Sequence, residues 1–137
     1  MLDVSSETDV FGACWSGLEE QVSLTNELRA AHTKTGALPT TQNERRRYPR
    51  FYFWRRAILE KGGRRTAGYT RDLTKAGIGF LSPVQLFPCD EVGLTIESGQ
   101  SFRVVIRRCR RLGDDCYECG GEFAAAPSLT AQSNGAE

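Results

Sequence analysis

The chain has no run of apolar residues long enough to cross a bilayer, and Met1 to Asp9 lacks the basic-then-apolar layout of a secretion signal. A cytoplasmic protein is the expectation. The single histidine, His32, lies in a polar stretch with no serine, cysteine or carboxylate partner that the sequence places beside it. Catalysis therefore has no visible foothold, and an enzyme is not expected. Five cysteines, Cys14, Cys89, Cys109, Cys116 and Cys119, make an odd set without an export signal, which favours reduced thiols over a disulfide framework. The one CxxC, Cys116 to Cys119, has no second pair and no nearby histidine to complete a zinc set. In a strand, residues three apart face opposite ways, so small buried hydrophobes are the expected role of this pair, with no metal or cofactor.

Neither sign of charge dominates overall, since the whole chain carries a formal charge of +1, yet the distribution is lopsided. Between Asn43 and Lys75 lie 11 Lys or Arg against Glu44, Glu60 and Asp72, a net of +8, while residues 1–42 carry −4 and residues 76–137 carry −3. A local anion-binding surface follows, rather than general stickiness.

At 137 residues there is room for one domain with a core and short extensions. Trp15, Leu18, Val22 and Leu28 fall near helical spacing, with Ser16 as N-cap and Glu19 as its capping-box partner, which predicts one amphipathic helix from Trp15 to Ala31. Gly36 and Pro39 end it and open a polar linker, so residues 1–43 read as a helical extension. From Phe51 the texture becomes β-type. Runs at Phe51 to Leu59, Arg65 to Arg71, Ile78 to Leu81, Val92 to Ile96, Phe102 to Cys109 and Cys116 to Phe123 alternate with Gly62-Gly63, Pro83 to Pro88, Ser98-Gly99 and Gly113-Asp114. Six short strands with tight turns and no intervening helix predict a mainly β protein, an antiparallel barrel over residues 44–126. The aromatic cluster Tyr48, Phe51, Tyr52, Phe53 and Trp54 is expected mostly to pack the core. Residues 127–137 are small and polar, offer little apolar surface, and are expected to be a disordered tail.

Three segments, in this order, resemble the signature of the PilZ family. They are Arg46-Arg47-Tyr48-Pro49-Arg50 as RxxxR, Asp72-Leu73-Thr74-Lys75-Ala76-Gly77 as DxTxxG, and Tyr117-Glu118-Cys119-Gly120-Gly121-Glu122-Phe123 as YxxGxxF. The resemblance implies a six-stranded PilZ-type barrel that binds the bacterial second messenger cyclic di-GMP, changes conformation, and signals through a partner protein. It assigns Arg46 and Arg50 to phosphate and guanine contacts, and the additional arginine, Arg45, goes with a stacked pair of ligand molecules. Guanidinium suits both tasks, because its planar fork matches phosphate oxygens and the O6 and N7 acceptors of guanine. Asp72 is expected to accept from guanine N1 and N2, and Thr74 to offer a hydroxyl nearby. Gly77 is expected to permit a positive φ or a close approach of backbone to ligand, and Gly120 is the third-motif glycine. Tyr117 and Phe123 are expected to pack the barrel.

Two features depart from the family pattern: Thr74 stands where serine is usual, and Ala124 to Glu137 shows little sign of a C-terminal helix. Packing of the N-terminal helix on the barrel, or on a second copy in a homodimer, is the corresponding expectation. Other readings of the same residues are a ligand-free PilZ scaffold for protein interaction, a general nucleic-acid binder drawn by the +8 segment, and a thiol redox or zinc protein built on Cys109, Cys116 and Cys119.

Overall fold

The computed structural model describes residues 10–31, 34–37 and 49–124. His32, Arg45, Arg46, Arg47, Tyr48 and the tail beyond Ala124 lie outside these residues. Two short helices, α1 (Val10–Gly17) and α2 (Asn26–Ala31), precede strands β1 (Phe51–Tyr52), β2 (Arg56–Lys61), β3 (Arg64–Leu73), β4 (Gly77–Ser82), β5 (Glu91–Ile96), β6 (Ser101–Gly113) and β7 (Cys116–Phe123). No helix among the described residues is long and apolar enough to cross a membrane.

Hydrogen bonding runs in the order β1-β3-β2-β5-β6-β7-β4, and β4 pairs back onto β3. Strands β2 to β7 thus form the closed six-stranded antiparallel barrel that the strand count predicted, with β1 as a short extra strand on β3. Closure leaves no long unpaired edge in a small domain. The β2–β3 hairpin turns on Gly62 and Gly63, whose φ values of 58° and 84° give the doubly left-handed turn that matches strand twist. Ala57, Leu59, Ile78, Phe80, Val92, Leu94, Ile96, Val104, Ile106 and Cys119 fill one cluster inside the barrel, while Leu81 and Cys116 face a second cluster with Val22 and Leu28. The alternation of side chains across each strand sorts Phe80 from Leu81. Cys116 and Cys119 separate in the same way, as their three-residue spacing implied. Tyr117, Phe123 and Phe53 pack against the interior cluster, as expected, whereas Phe51 is exposed.

Two expectations require correction. The run from Phe51 to Leu59 is not one strand, because it breaks at residues 53–55 around Thr70, which is fully buried. The Thr70 hydroxyl donates to the Phe53 carbonyl and accepts from the Arg55 N–H at 2.9 Å, while the Thr70 N–H donates to the Arg55 carbonyl at 2.8 Å. A polar side chain thereby satisfies backbone groups that the break would otherwise leave unpaired.

The stretch from Trp15 to Ala31 is likewise not one helix. Helix α1 ends at Gly17, and the Gln21 side-chain amide donates to the carbonyls of Trp15, Ser16 and Leu18 at 3.2, 2.7 and 3.2 Å, closing the helix end. Glu20 to Val22 then runs beside β3: the Ala67 N–H donates to the Glu20 carbonyl and the Val22 N–H donates to the Ala67 carbonyl, both at 2.9 Å. Thr25, not Ser16, is the N-cap, its hydroxyl accepting from the Leu28 N–H at 3.2 Å. Helical periodicity in the sequence was genuine as a count of apolar residues, but hydrogen bonds to β3 outcompete the middle turns of the helix.

The extension packs on the barrel wall. Val22 and Leu28 are buried against Leu81 and Cys116, and the Trp15 indole N–H reaches the carbonyls of Ala57 and Gly68 at 3.1 and 3.0 Å. Its ring meets Tyr69 edge-on at 5.3 Å between centroids. Farther along, the Tyr52 N–H donates to the Gly36 carbonyl at 2.8 Å, which holds the chain at Gly36 beside β1.

Candidate anion-binding cleft

Arg50, Asp72, Thr74, Gly77 and Gly120, drawn from all three sequence motifs, line one cleft of about 230 Å³ where β3, β4, β6 and β7 meet. Arg50 enters just before β1, and its Nη1 lies 3.3 Å from Asp72 Oδ2. The Asp72 side chain is only 6% exposed and that of Arg50 16%, so the pair is largely withdrawn from bulk water. An ion pair in such a place is held strongly only while both partners remain.

Asp72 sits after an irregularity in the β3–β4 register between Thr70 and Asp72, opposite Gly79. A β-carbon at Gly79 would lie 2.2 Å from Asp72 Oδ1, so the absence of a side chain there gives the carboxylate its seat. Gly79 was not among the expected site residues, although its spacing two residues after Gly77 put it on the same strand face.

Thr74 already serves the β3–β4 turn. Its hydroxyl oxygen accepts from the N–H groups of Gly77 at 2.9 Å and Ala76 at 3.1 Å, the local side-chain turn that competes with any external partner. Gly77 differs from expectation in its reason. It lies outside the positive-φ glycines of the described chain, and a β-carbon there would lie 2.2 Å from the Gly121 carbonyl oxygen. Close approach of β7 demands glycine at that position.

The cleft also contains two arginines that strand alternation hides. Ile106 pairs with Gly121 and Arg108 with Gly120, leaving Arg107 as the extra residue of a β-bulge in β6. A bulge re-aims side chains, and here consecutive Arg107 and Arg108 both line the cleft. Arg107 reaches Glu122 at 2.9 Å on the exposed rim. Arg108 lies over Gly120, its Cζ 3.2 Å from where a β-carbon would be, and no carboxylate among the described residues pairs with it. The arginine-rich composition of β6 was visible as sequence, but its alternation would have sent one of each neighbouring pair to the opposite face.

Elsewhere on the barrel, acids are taken up by other arginines. Arg110 and Arg71 both contact Glu118, Arg103 contacts Glu91 at 2.6 Å, and Arg111 contacts Asp114 at 2.6 Å. Positive charge at the cleft is therefore concentrated on Arg50, Arg107 and Arg108, against Asp72 and Glu122. Guanidinium groups are chemically suited to anion oxygens, and a carboxylate to hydrogen-bond donors.

The PilZ domain family model matches residues 44–133, running from the arginine-rich segment through β7 and beyond. No curated protein matches the chain. With the family's barrel around that cleft and its motif residues Arg50, Asp72, Thr74 and Gly120 at one opening, the chain belongs to the PilZ domain family, a family of ligand-binding and adaptor domains.

Proposed function

We propose that this protein is a receptor for cyclic di-GMP and passes the bound state to a partner protein as an adaptor. The single observation that carries the reading is the convergence of Arg50, Asp72 and Gly120, from motifs far apart in sequence, on one cleft with Arg107 and Arg108. Each ligand group has a chemical counterpart there. The guanidinium of Arg50 exchanges Asp72 for a phosphate oxygen, and the freed carboxylate accepts from the guanine N1 and N2 donors. Arg108, without a carboxylate partner among the described residues, offers a fork to guanine O6 and N7 or a flat cation to its face. Arg45 and Arg46 complete the phosphate contacts from the preceding segment, and Arg45 favours a stacked pair of ligand molecules.

Rupture of the Arg50–Asp72 pair is the switch. Arg50 adjoins β1, whose Tyr52 is hydrogen-bonded to Gly36 in the N-terminal extension, so movement at the cleft has a covalent and hydrogen-bonded route to the helical wall. The changed surface is what a partner protein reads, with the chain acting in the cytoplasm and without catalysis of its own.

Calorimetric titration of cyclic di-GMP, with GTP as control and an Arg46→Ala, Arg50→Ala variant alongside, tests this reading. Saturable heat with cyclic di-GMP, abolished in the variant and unaffected by excess bulk DNA, is the expected result. Stoichiometry of two ligands per chain would support the role given to Arg45. No heat from a folded protein would reject the receptor and leave a ligand-free scaffold, while displacement by DNA would point to a general polyanion binder.

A further inference from the structure

One pair of thiols stands apart from the cleft chemistry. Cys109 on β6 and Cys119 on β7 are direct cross-strand partners, and their sulfurs lie 3.4 Å apart. Directly opposed residues on antiparallel strands have Cα separations of about 4.5–5.5 Å, inside the range that a disulfide spans. Reaching the bond length of about 2.05 Å requires the sulfurs to close by only about 1.4 Å.

The two thiols differ in access. Cys119 is 1% exposed inside the barrel, whereas Cys109 is only partly buried. Burial first, and the neighbouring Cys109 second, push the Cys119 thiol well above the ordinary range, which disfavours it as the initial nucleophile. Cys116, the other half of the CxxC, faces the opposite cluster with Val22 and Leu81 and is no competitor for Cys109.

We propose that Cys109 and Cys119 form an oxidisable dithiol, converted by a peroxide to an intramolecular disulfide that ties β6 to β7. Cys109 Sγ attacks one peroxide oxygen, an S–O bond forms as the O–O bond breaks, and the departing oxygen leaves as water with the Cys109 proton. Cys119 Sγ then attacks Cys109 Sγ. The S–S bond forms as the S–O bond breaks, and the hydroxyl leaves as a second water with the Cys119 proton. Both sulfurs are oxidised and one peroxide is reduced to two waters. The adjoining rung of the ladder is Arg108 with Gly120, so the bond forms one residue from the cleft lining. The chemistry does not depend on the ligand, and its failure would leave the receptor reading untouched.

The test uses the full chain with exposed Cys14 and Cys89 replaced by serine, which leaves three thiols. Folded protein is treated with hydrogen peroxide, denatured, alkylated and weighed intact. The expected result is that two of these three thiols resist alkylation without any gain of oxygen, that dithiothreitol restores them, and that fragmentation of the linked tryptic peptides joins Cys109 to Cys119. Cys109→Ser should abolish the effect, and the linked peptide in the parent decides the question even where that variant folds poorly. Three thiols still open to alkylation, oxygen adducts on Cys109 beside a free Cys119, or a bond to Cys116 would each overturn the proposal.

Discussion

The barrel presents two contrasting flanks, the wall under the N-terminal extension and the cleft between β3 and β7. On the wall, large side chains meet: Trp15, Val22, Leu28, Leu81 and Tyr69 exclude water, and Glu20 and Val22 bond to the Ala67 backbone. At the cleft the strands carry Gly77, Gly79, Gly120 and Gly121, and among the described residues the apolar lining is limited to Ala76, Ile78 and the alkyl stems of arginines. The same ladder geometry therefore yields a closed surface where residues are bulky and an open, charged one where they are absent. On the proposed function, stability rests on the wall and recognition on the cleft, and this division can be broken at either.

The largest effect is expected on the wall. Trp15→Ala removes the indole from the Ala57 and Gly68 carbonyls and from Tyr69, and should lower unfolding stability by about 3 kcal/mol in a denaturant titration. Affinity for cyclic di-GMP should change little at temperatures where the variant is folded. A large affinity loss in the folded variant would show that the wall and the cleft are not separable. A smaller effect on stability, about 1–3 kcal/mol, is expected from Gly79→Ala, since the new methyl meets the Asp72 carboxylate. This variant should lose cyclic di-GMP binding as well, because Asp72 loses its seat. Retained wild-type affinity would remove Asp72 from the recognition scheme.

The finest test compares arginines on β6. Arg108→Ala should weaken cyclic di-GMP binding about tenfold, or about 1.4 kcal/mol, with stability altered by less than about 0.5 kcal/mol. Arg103→Ala, which removes an exposed pair with Glu91 far along the strand, should leave both unchanged. Equal effects of the two substitutions on affinity would mean that the cleft attracts its ligand by overall charge and not by the placement of Arg108.

Much of the scaffold was legible before any coordinates. Gly62-Gly63 and Ser98-Gly99 mark turns because their backbone chemistry is local, and the apolar alternation in β5 assigns Val92, Leu94 and Ile96 to one face for the same reason; the turn expected at Gly113-Asp114 lies one residue later, at Asp114-Asp115, with Gly113 still paired in β6. Motif order likewise located Arg50, Asp72 and Gly120. What escaped was non-local. The split between β1 and β2 depends on Thr70, fifteen residues after Arg55, and the broken N-terminal helix depends on Ala67, more than forty residues after Val22. Arg107 and Arg108 escaped because one bulged residue changes the face of every side chain after it, and no periodicity in β6 announces the bulge.

The sequence alone determined the barrel class, the position of most of its turns, the family and the concentration of positive charge between Asn43 and Lys75, since each rests on residue chemistry and short-range spacing. Only the tertiary structure decided that Arg108 in the cleft has no carboxylate partner among the described residues, that Asp72 rests in the space a side chain at Gly79 would fill, and that Cys109 faces Cys119 while Cys116 does not. Those outcomes depend on register, closure and bulges. They are set by the mutual packing of strands distant in sequence, where a shift of one residue reverses which side chains meet.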